Sequence, residues 1–353
     1  MDYSFDNETR MLDDSVSRFV ADHAGKKQDL WPLMADLGWL ALPFPEEAGG
    51  VGLGAVGAMV LMERFGAGLL STPYIPSVVM AGAVLARSPN RTDRLSSLIE
   101  GSSRPAVART WERDGARASA RADGGDHVLT GSGLLVLGDD DADQVIVPAW
   151  ADDAAEPDLF LVPAGKDGVV FTSRALFDGG AARHMELKDV SVSSSCRLNA
   201  QGEGGTLLHA MQDAALLAAA AENLGAMQAL FDLTLDYAKT RRQFGRAIGS
   251  FQTIQFRLVD LWIRLDEARS LLITATMAAD EGHAEARKLT AAAWIQTLWS
   301  GRAISEEAIQ IHGAIGMTEE YAVGRYVKRI LVNELMFGPA EPHLARYRSS
   351  AAA

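Results

Sequence analysis

Three stretches in the C-terminal half of the chain, residues 206–239, 250–280 and 284–312, repeat apolar residues near a helical period for longer than most globular helices last. A helix this long must have its apolar stripe covered. Long helices joined by short loops cover one another most simply as an antiparallel bundle. A shorter fourth helix is expected to start near Glu320, which places a four-helix bundle over residues 199–353.

The part before it reads differently. Between about residues 106 and 198, short runs rich in Val, Leu and Ile alternate with Gly and Asp clusters, as in 127–129, 134–137, 145–147, 159–162, 169–171 and 185–192. Short runs with regular turn signals predict a small antiparallel barrel or sandwich. Residues 1–105 return to a helical pattern. Met11, Leu12, Val16, Phe19 and Val20 lie near a 3.6 period, and a second short helix is expected over 31–39. A turn-rich loop follows over 43–50, then helices over 54–65, 77–85 and 93–100. The expected fold class is α+β and mainly α: a helical N-terminal domain, a middle β domain and a C-terminal bundle.

Bulk properties remove several functions. A formal net charge of -13 argues against a nucleic-acid surface, which needs a basic footprint. The single cysteine, Cys196, allows no disulfide within the chain and no thiolate zinc cluster, and makes a reducing cytoplasm the expected compartment. Asp139-Asp140-Asp141 lacks the spacing of a calcium loop and reads as a solvated turn. The acidic start, with Asp2, Asp6, Glu8 and Asp13, is unlike a signal peptide. The most apolar run, 214–221, is far short of the roughly 20 residues of a membrane span. It reads as a buried helix face.

Two segments of the bundle carry candidate chemistry. The first is Tyr237-Ala238-Lys239-Thr240-Arg241-Arg242-Gln243-Phe244-Gly245, followed by Ile248, Phe251-Gln252 and Gln255. It sets two arginines, an amide and an aromatic at a helix-to-loop transition. Arginine pairs bidentately with phosphate, and an aromatic packs on a ring system. The second runs from Gln310-Ile311-His312-Gly313-Ala314 through Gly316 to Tyr321. Its glycines end a helix and let the backbone approach a ligand. Each segment alone is compatible with C-cap glycines and a surface arginine pair. In type, spacing and order, the two together resemble the signature stretches of the acyl-CoA dehydrogenase family. Arg10-Met11-Leu12, Leu37-Gly38-Trp39, Pro45-Glu46-Glu47, Leu161-Val162-Pro163 and Leu187-Lys188-Asp189-Val190 extend the resemblance over nearly the whole chain.

The resemblance implies FAD, a dimer or tetramer, and oxidation of an acyl-CoA thioester to its 2,3-enoyl form. A carboxylate takes the α-proton, and hydrogen bonds to the thioester oxygen acidify it. In the family that base is usually a Glu followed by Gly and Thr, and here the matching stretch is Phe337-Gly338-Pro339. The alternative position, early in the first bundle helix, falls at about Ala215. Glu334 and Asp213 are the nearest acids and the candidates for a displaced base. The segments that hold the flavin ring in relatives, Thr-Glu-Pro and Trp-Ile-Thr, are replaced by 108–114 and by Leu135-Val136-Leu137-Gly138. What is kept is the side that reaches a neighbouring subunit's FAD. The resemblance assigns Arg241, Gln243, Phe244, Gln310, Gly313 and Ala314 to that contact, with Ala314 in place of the family's second glycine.

The expectation is therefore a base-lacking subunit of a heteromeric acyl-CoA dehydrogenase, a heterodimer or α2β2 tetramer with a homologous chain. Such enzymes act on steroid side chains or other bulky acyl-CoA substrates, with electron-transferring flavoprotein as the family's acceptor. Two alternatives stand beside it: a self-sufficient homomer with a relocated base, and a structural subunit without flavin.

Overall fold

The computed structural model describes residues 6–88, 91–109, 117–138, 140–152, 154–200, 202–318 and 321–349. In chain order the elements are α1 (Asn7–His23), α2 (Trp31–Asp36), α3 (Gly54–Gly68), a π-helical segment (Tyr74–Ala81) leading into α4 (Gly82–Leu85), and α5 (Arg91–Ile99). Seven strands follow: β1 (Pro105–Arg109), β2 (Ala118–Asp123), β3 (Asp126–Leu137), β4 (Gln144–Trp150), β5 (Asp158–Pro163), β6 (Val169–Ala175) and β7 (Ala181–Val192). Then come α6 (Gly204–Thr240), the two-residue strands β8 (Arg242–Gln243) and β9 (Arg246–Ala247), α7 (Gln252–Asp280), α8 (Ala286–His312), α9 (Ala322–Phe337) and α10 (Ala340–Ser349).

The α+β, mainly α class and the helix, strand, helix order agree with the sequence reading. Several elements depart from it for identifiable reasons. The helix expected over 31–39 stops at Asp36, because Gly38 turns left-handed (φ 71°) and restarts the chain as a 3-10 turn over Trp39–Ala41. The runs 127–129 and 134–137 are one strand, β3, whose pairing with β7 shifts around Gly131. Glu320 lies outside the described residues, and α9 starts at Ala322. The sequence reading had no counterpart of α10, β1 or β2.

The sheet is mixed. β3 pairs antiparallel with β7, and β7 with β6. On its other side, β3 pairs antiparallel with β1 through residues 135–137 and with β2 through residues 126–130. β4 runs parallel to both β1 and β2, and antiparallel to β5. β1 and β2 therefore share one slot between β3 and β4. Leu129, Leu134, Val136, Phe160, Met185 and Val190 fill the core on this sheet.

The chain divides into two compact units. One gathers the described residues of Met1–Lys27, Ala55–Ser71 and Leu216–Ala353, and the other those of Gln28–Gly54 and Thr72–Ala215. In the first unit, α6 presents a run of small residues, with Ala219, Ala220 and Ala221 fully buried. Small side chains let α3 lie directly on the α6 backbone. A Cβ on Gly66 would overlap the Glu222 carbonyl, and one on Gly225 the Glu63 carbonyl. The N-terminus of α3 is capped from 225 residues away: the Asp280 carboxylate accepts the N–H of Ala55 at 2.7 Å and of Val56 at 3.0 Å. α6 is also the one helix among the described residues long and apolar enough to cross a membrane, and 83% of its most apolar window is buried inside the chain. Such burial is what a core helix shows.

Candidate functional site

α6 ends at Thr240, and the chain folds at once into a tight hairpin. Arg242 pairs with Ala247 and Gln243 with Arg246, leaving Phe244-Gly245 as the two-residue turn. Both turn residues have positive φ, 52° and 79°, as a type I′ hairpin requires. Glycine adopts this freely, but a bulky aromatic does so at a cost. The Ile248 N–H closes the base of the hairpin on the Arg241 carbonyl at 2.8 Å, and Arg242 donates to the Gly245 carbonyl at 3.2 Å. The Arg246 guanidinium lies 4.0 Å over the Phe251 ring, and Phe244 meets that ring edge-on at 6.2 Å. The result is a stiff turn holding Phe244 91% exposed, among the exposed side chains of Arg241, Arg242, Gln243 and Arg246.

α8 ends beside this hairpin. Gly313 takes φ 66° and ψ −142°, which turns the chain into a 3-10 segment over Gly313–Met317. Gln310, Gly313 and Ala314 are all exposed. The two segments meet through Tyr237, one turn before the hairpin. Its ring stacks on His312 at 4.3 Å, and its hydroxyl donates to the His312 carbonyl at 3.4 Å. The fold thus brings Arg241, Gln243 and Phe244 to the end of the bundle that carries Gln310, Gly313 and Ala314.

The position that carries the base in relatives is different in kind. Phe337 closes α9, is 5% exposed, and packs edge-on against Trp294 at 6.3 Å. Trp294 donates its indole N–H to the Gly338 carbonyl at 3.0 Å. His343 of α10 completes the cluster. Burial, with the Arg346 charge behind it, pushes the His343 imidazole down to about 4, while a hydrogen bond to the Phe337 backbone pulls the other way. A histidine depressed in this way is neutral in the fold and protonated first in the unfolded chain. Its stabilising contribution is whole above pH 6.5 and is lost as pH falls from there toward 4. Urea titrations across that window should show stability falling by up to about 3 kcal/mol more in the parent than in His343→Gln. Equal slopes would remove His343 as the cause.

Ala215, the alternative base position, is fully buried. Asp213 and Glu334 are both half-buried. Asp213 lies two residues from Ala215, roughly 200° around α6, and so on the opposite side of the helix. Glu334 sits one turn before Phe337, and its carbonyl accepts the Gly338 N–H at 2.9 Å. A further acid, two turns beyond Ala215, escaped the sequence reading. Glu222 is 1% exposed and accepts from Arg329 at 2.6 and 3.0 Å and from Asn333 at 2.9 Å. Its one signal was its place as the charged end of the apolar run. A buried carboxylate holding these partners is committed to the bundle.

The residues present suit the diphosphate and nucleoside half of a dinucleotide. Guanidiniums stand uncovered beside an uncovered ring, and the Gly313-Ala314 backbone is open to approach. The ring half is not matched in the same way. Leu135-Val136-Leu137 is apolar strand within β3, and residues 110–114 lie outside the described residues.

Comparison with known proteins identifies the family. The acyl-CoA dehydrogenase N-terminal domain model matches residues 6–92, and the C-terminal domain model matches residues 207–350. The chain is 31% identical over 330 residues to acyl-CoA dehydrogenase FadE27 of Mycobacterium tuberculosis, spanning 90% of this chain and 87% of that protein. A chain of the ChsE4-ChsE5 complex from Mycobacterium tuberculosis superposes with a TM-score of 0.88 at 27% identity, covering 100% of this chain and 99% of that one. A Tcur3481-Tcur3483 steroid ACAD variant does so with 0.86 at 28% identity, covering 98% of each. The chain belongs to the acyl-CoA dehydrogenase family.

Proposed function

We propose that this chain is the base-lacking subunit of a heteromeric, FAD-dependent acyl-CoA dehydrogenase, and that it completes an FAD site held mainly by a homologous partner. One observation carries the reading. The base position is a buried phenylalanine packed on Trp294, while the hairpin and the α8 turn keep their polar and aromatic groups uncovered. Arg241 would pair with the diphosphate, Gln243 and Gln310 would donate or accept at its flanks, and Phe244 would cover a ring. Gly313 and Ala314 would give the backbone close approach. Bound flavin supplies the acceptor for the hydride that leaves the β-carbon of the acyl group. The proton at the α-carbon needs a carboxylate, and in this reading that carboxylate belongs to the partner.

The outward side of α7 supports a partner of the same build. Phe256, Val259, Trp262 and Ile263 stand 44–60% exposed on a helix whose other face, through Leu258, Leu261 and Leu265, is already buried. A helix apolar on both sides is normally covered on both. This stripe begins one turn after Phe251 and so continues from the hairpin. The two similar structures named for paired chains, and the steroid named for one of them, favour a heteromer acting on a bulky acyl-CoA.

The test is a comparison of this chain purified alone with the same chain co-expressed with a base-bearing homologue from its own organism. The expected outcome is FAD and acyl-CoA oxidation in the complex and no oxidation by the lone chain. Stoichiometric FAD and turnover in the lone chain would overturn the reading in favour of a relocated base. Loss of that turnover in Glu334→Gln or Asp213→Asn would then locate it.

A further inference from the structure

The geometry points to Tyr237 as a positioning residue that fastens the α6 hairpin to the α8 turn, so that two segments far apart in sequence present one cofactor-contact surface. The inference rests on the proposed FAD contact and adds a residue that touches no ligand itself. Tyr237 lies one turn before Arg241 and is half-buried. Its ring stacks on His312 at 4.3 Å with 27° between the planes, and Tyr321 closes the cluster at 6.4 Å from Tyr237 and 5.2 Å from His312. Its hydroxyl meets the His312 carbonyl, the last peptide before Gly313 turns the chain. One side chain thus holds the final residue of α8, from the helix that launches the hairpin.

His312 shows that the arrangement is more than filler. It is 4% exposed, and its Nδ1 donates to the Ala308 carbonyl at 2.8 Å. Its Nε2 is buried with no hydrogen-bond partner among the described residues. Leaving a polar atom bare costs about 1–3 kcal/mol, and an apolar ring would fill the same stack without that cost. The stack has also been set where both segments change direction, between Gly313 on one side and the Phe244-Gly245 turn on the other. Gly313 itself is held by its N–H on the Ile309 carbonyl, and the side on which a Cβ would stand is open. The Tyr237 hydroxyl and ring add a hold on His312 that comes from outside α8.

Tyr237→Phe keeps the ring and removes the hydroxyl, and Tyr237→Leu removes both. Hydrogen exchange on the full chain should show the amides of 242–247 and 313–317 exchanging roughly ten-fold faster in Tyr237→Phe, and faster again in Tyr237→Leu, with the interiors of α6 and α8 unchanged. FAD titrated into the assembled complex should bind roughly ten-fold more weakly in Tyr237→Phe. A purely structural role would instead raise exchange along both helices. If either readout stays at its parental value in both variants, the positioning role is overturned. Arg241→Ala in the same complex separates the two levels of the argument. If it weakens FAD while the Tyr237 variants do not, only the positioning role falls. If it leaves FAD affinity unchanged, the cofactor contact falls with it.

Discussion

Arg241→Ala in this chain should strip FAD from the assembled complex while leaving the chain folded. Arg241 is exposed and lies at the base of the hairpin, so its side chain contributes little to the bundle itself. A charge-assisted bond to a phosphate contributes about 1.5–3 kcal/mol, which is roughly 10- to 150-fold in affinity. Flavin absorbance after gel filtration reads the loss directly, and the melting curve of the lone variant chain should match its parent. Phe244→Ala should act in the same direction, since its ring is exposed and held away from the core. Parental flavin content in the Arg241→Ala complex would mean that this chain assembles with its partner without touching the cofactor.

Arg329→Met should be the most damaging single change to the bundle. It leaves the Glu222 carboxylate, 1% exposed, with Asn333 as its remaining partner. Removing one member of a buried ion pair costs about 3–5 kcal/mol, because the other charge stays desolvated. That corresponds to a fall of roughly 4–7 °C in melting temperature for a protein of this size. Replacing both charges, Glu222→Met with Arg329→Met, should recover most of the loss, since a packed apolar pair is often as stable as a buried ionic one. A cost below about 1 kcal/mol for Arg329→Met would place the pair among ordinary surface bridges.

Features written in local periodicity were legible in the sequence. The three long helices of the bundle follow from their apolar spacing, and their observed ends fall close to the expected ones: Gly204–Thr240, Gln252–Asp280 and Ala286–His312. The strands with Val, Leu and Ile runs were legible for the same reason. β2 was not. Its sequence Ala-Ser-Ala-Arg-Ala-Asp has weak strand preference, and only Ala118 and Ala120 reach the core. It is a strand because β3 and β4 leave a slot that β1 fills only in part. The Asp280 cap on α3 and the Glu222–Arg329 pair span 225 and 107 residues, so no window of sequence contains either. For the site, the segments were visible as motifs, but Tyr237 was merely the first letter of one. That its hydroxyl reaches the end of a helix 75 residues later is a property of the fold alone.

The exposed turn of Phe244 has a consequence for how such a chain is handled in the cell. With Phe244 at 91%, Met317 at 72%, Phe256 at 60% and Trp262 at 55%, the unassembled chain carries its stickiest residues outward. Surfaces of that kind invite aggregation and are what chaperones and proteases survey. A formal charge of -13 opposes collisions between copies, yet it leaves these side chains uncovered. In the proposed heteromer, supply of the chain would have to match supply of its partner, and surplus copies should be short-lived. In a strain lacking the partner, pulse-chase labelling should show the chain turning over faster than in the parent.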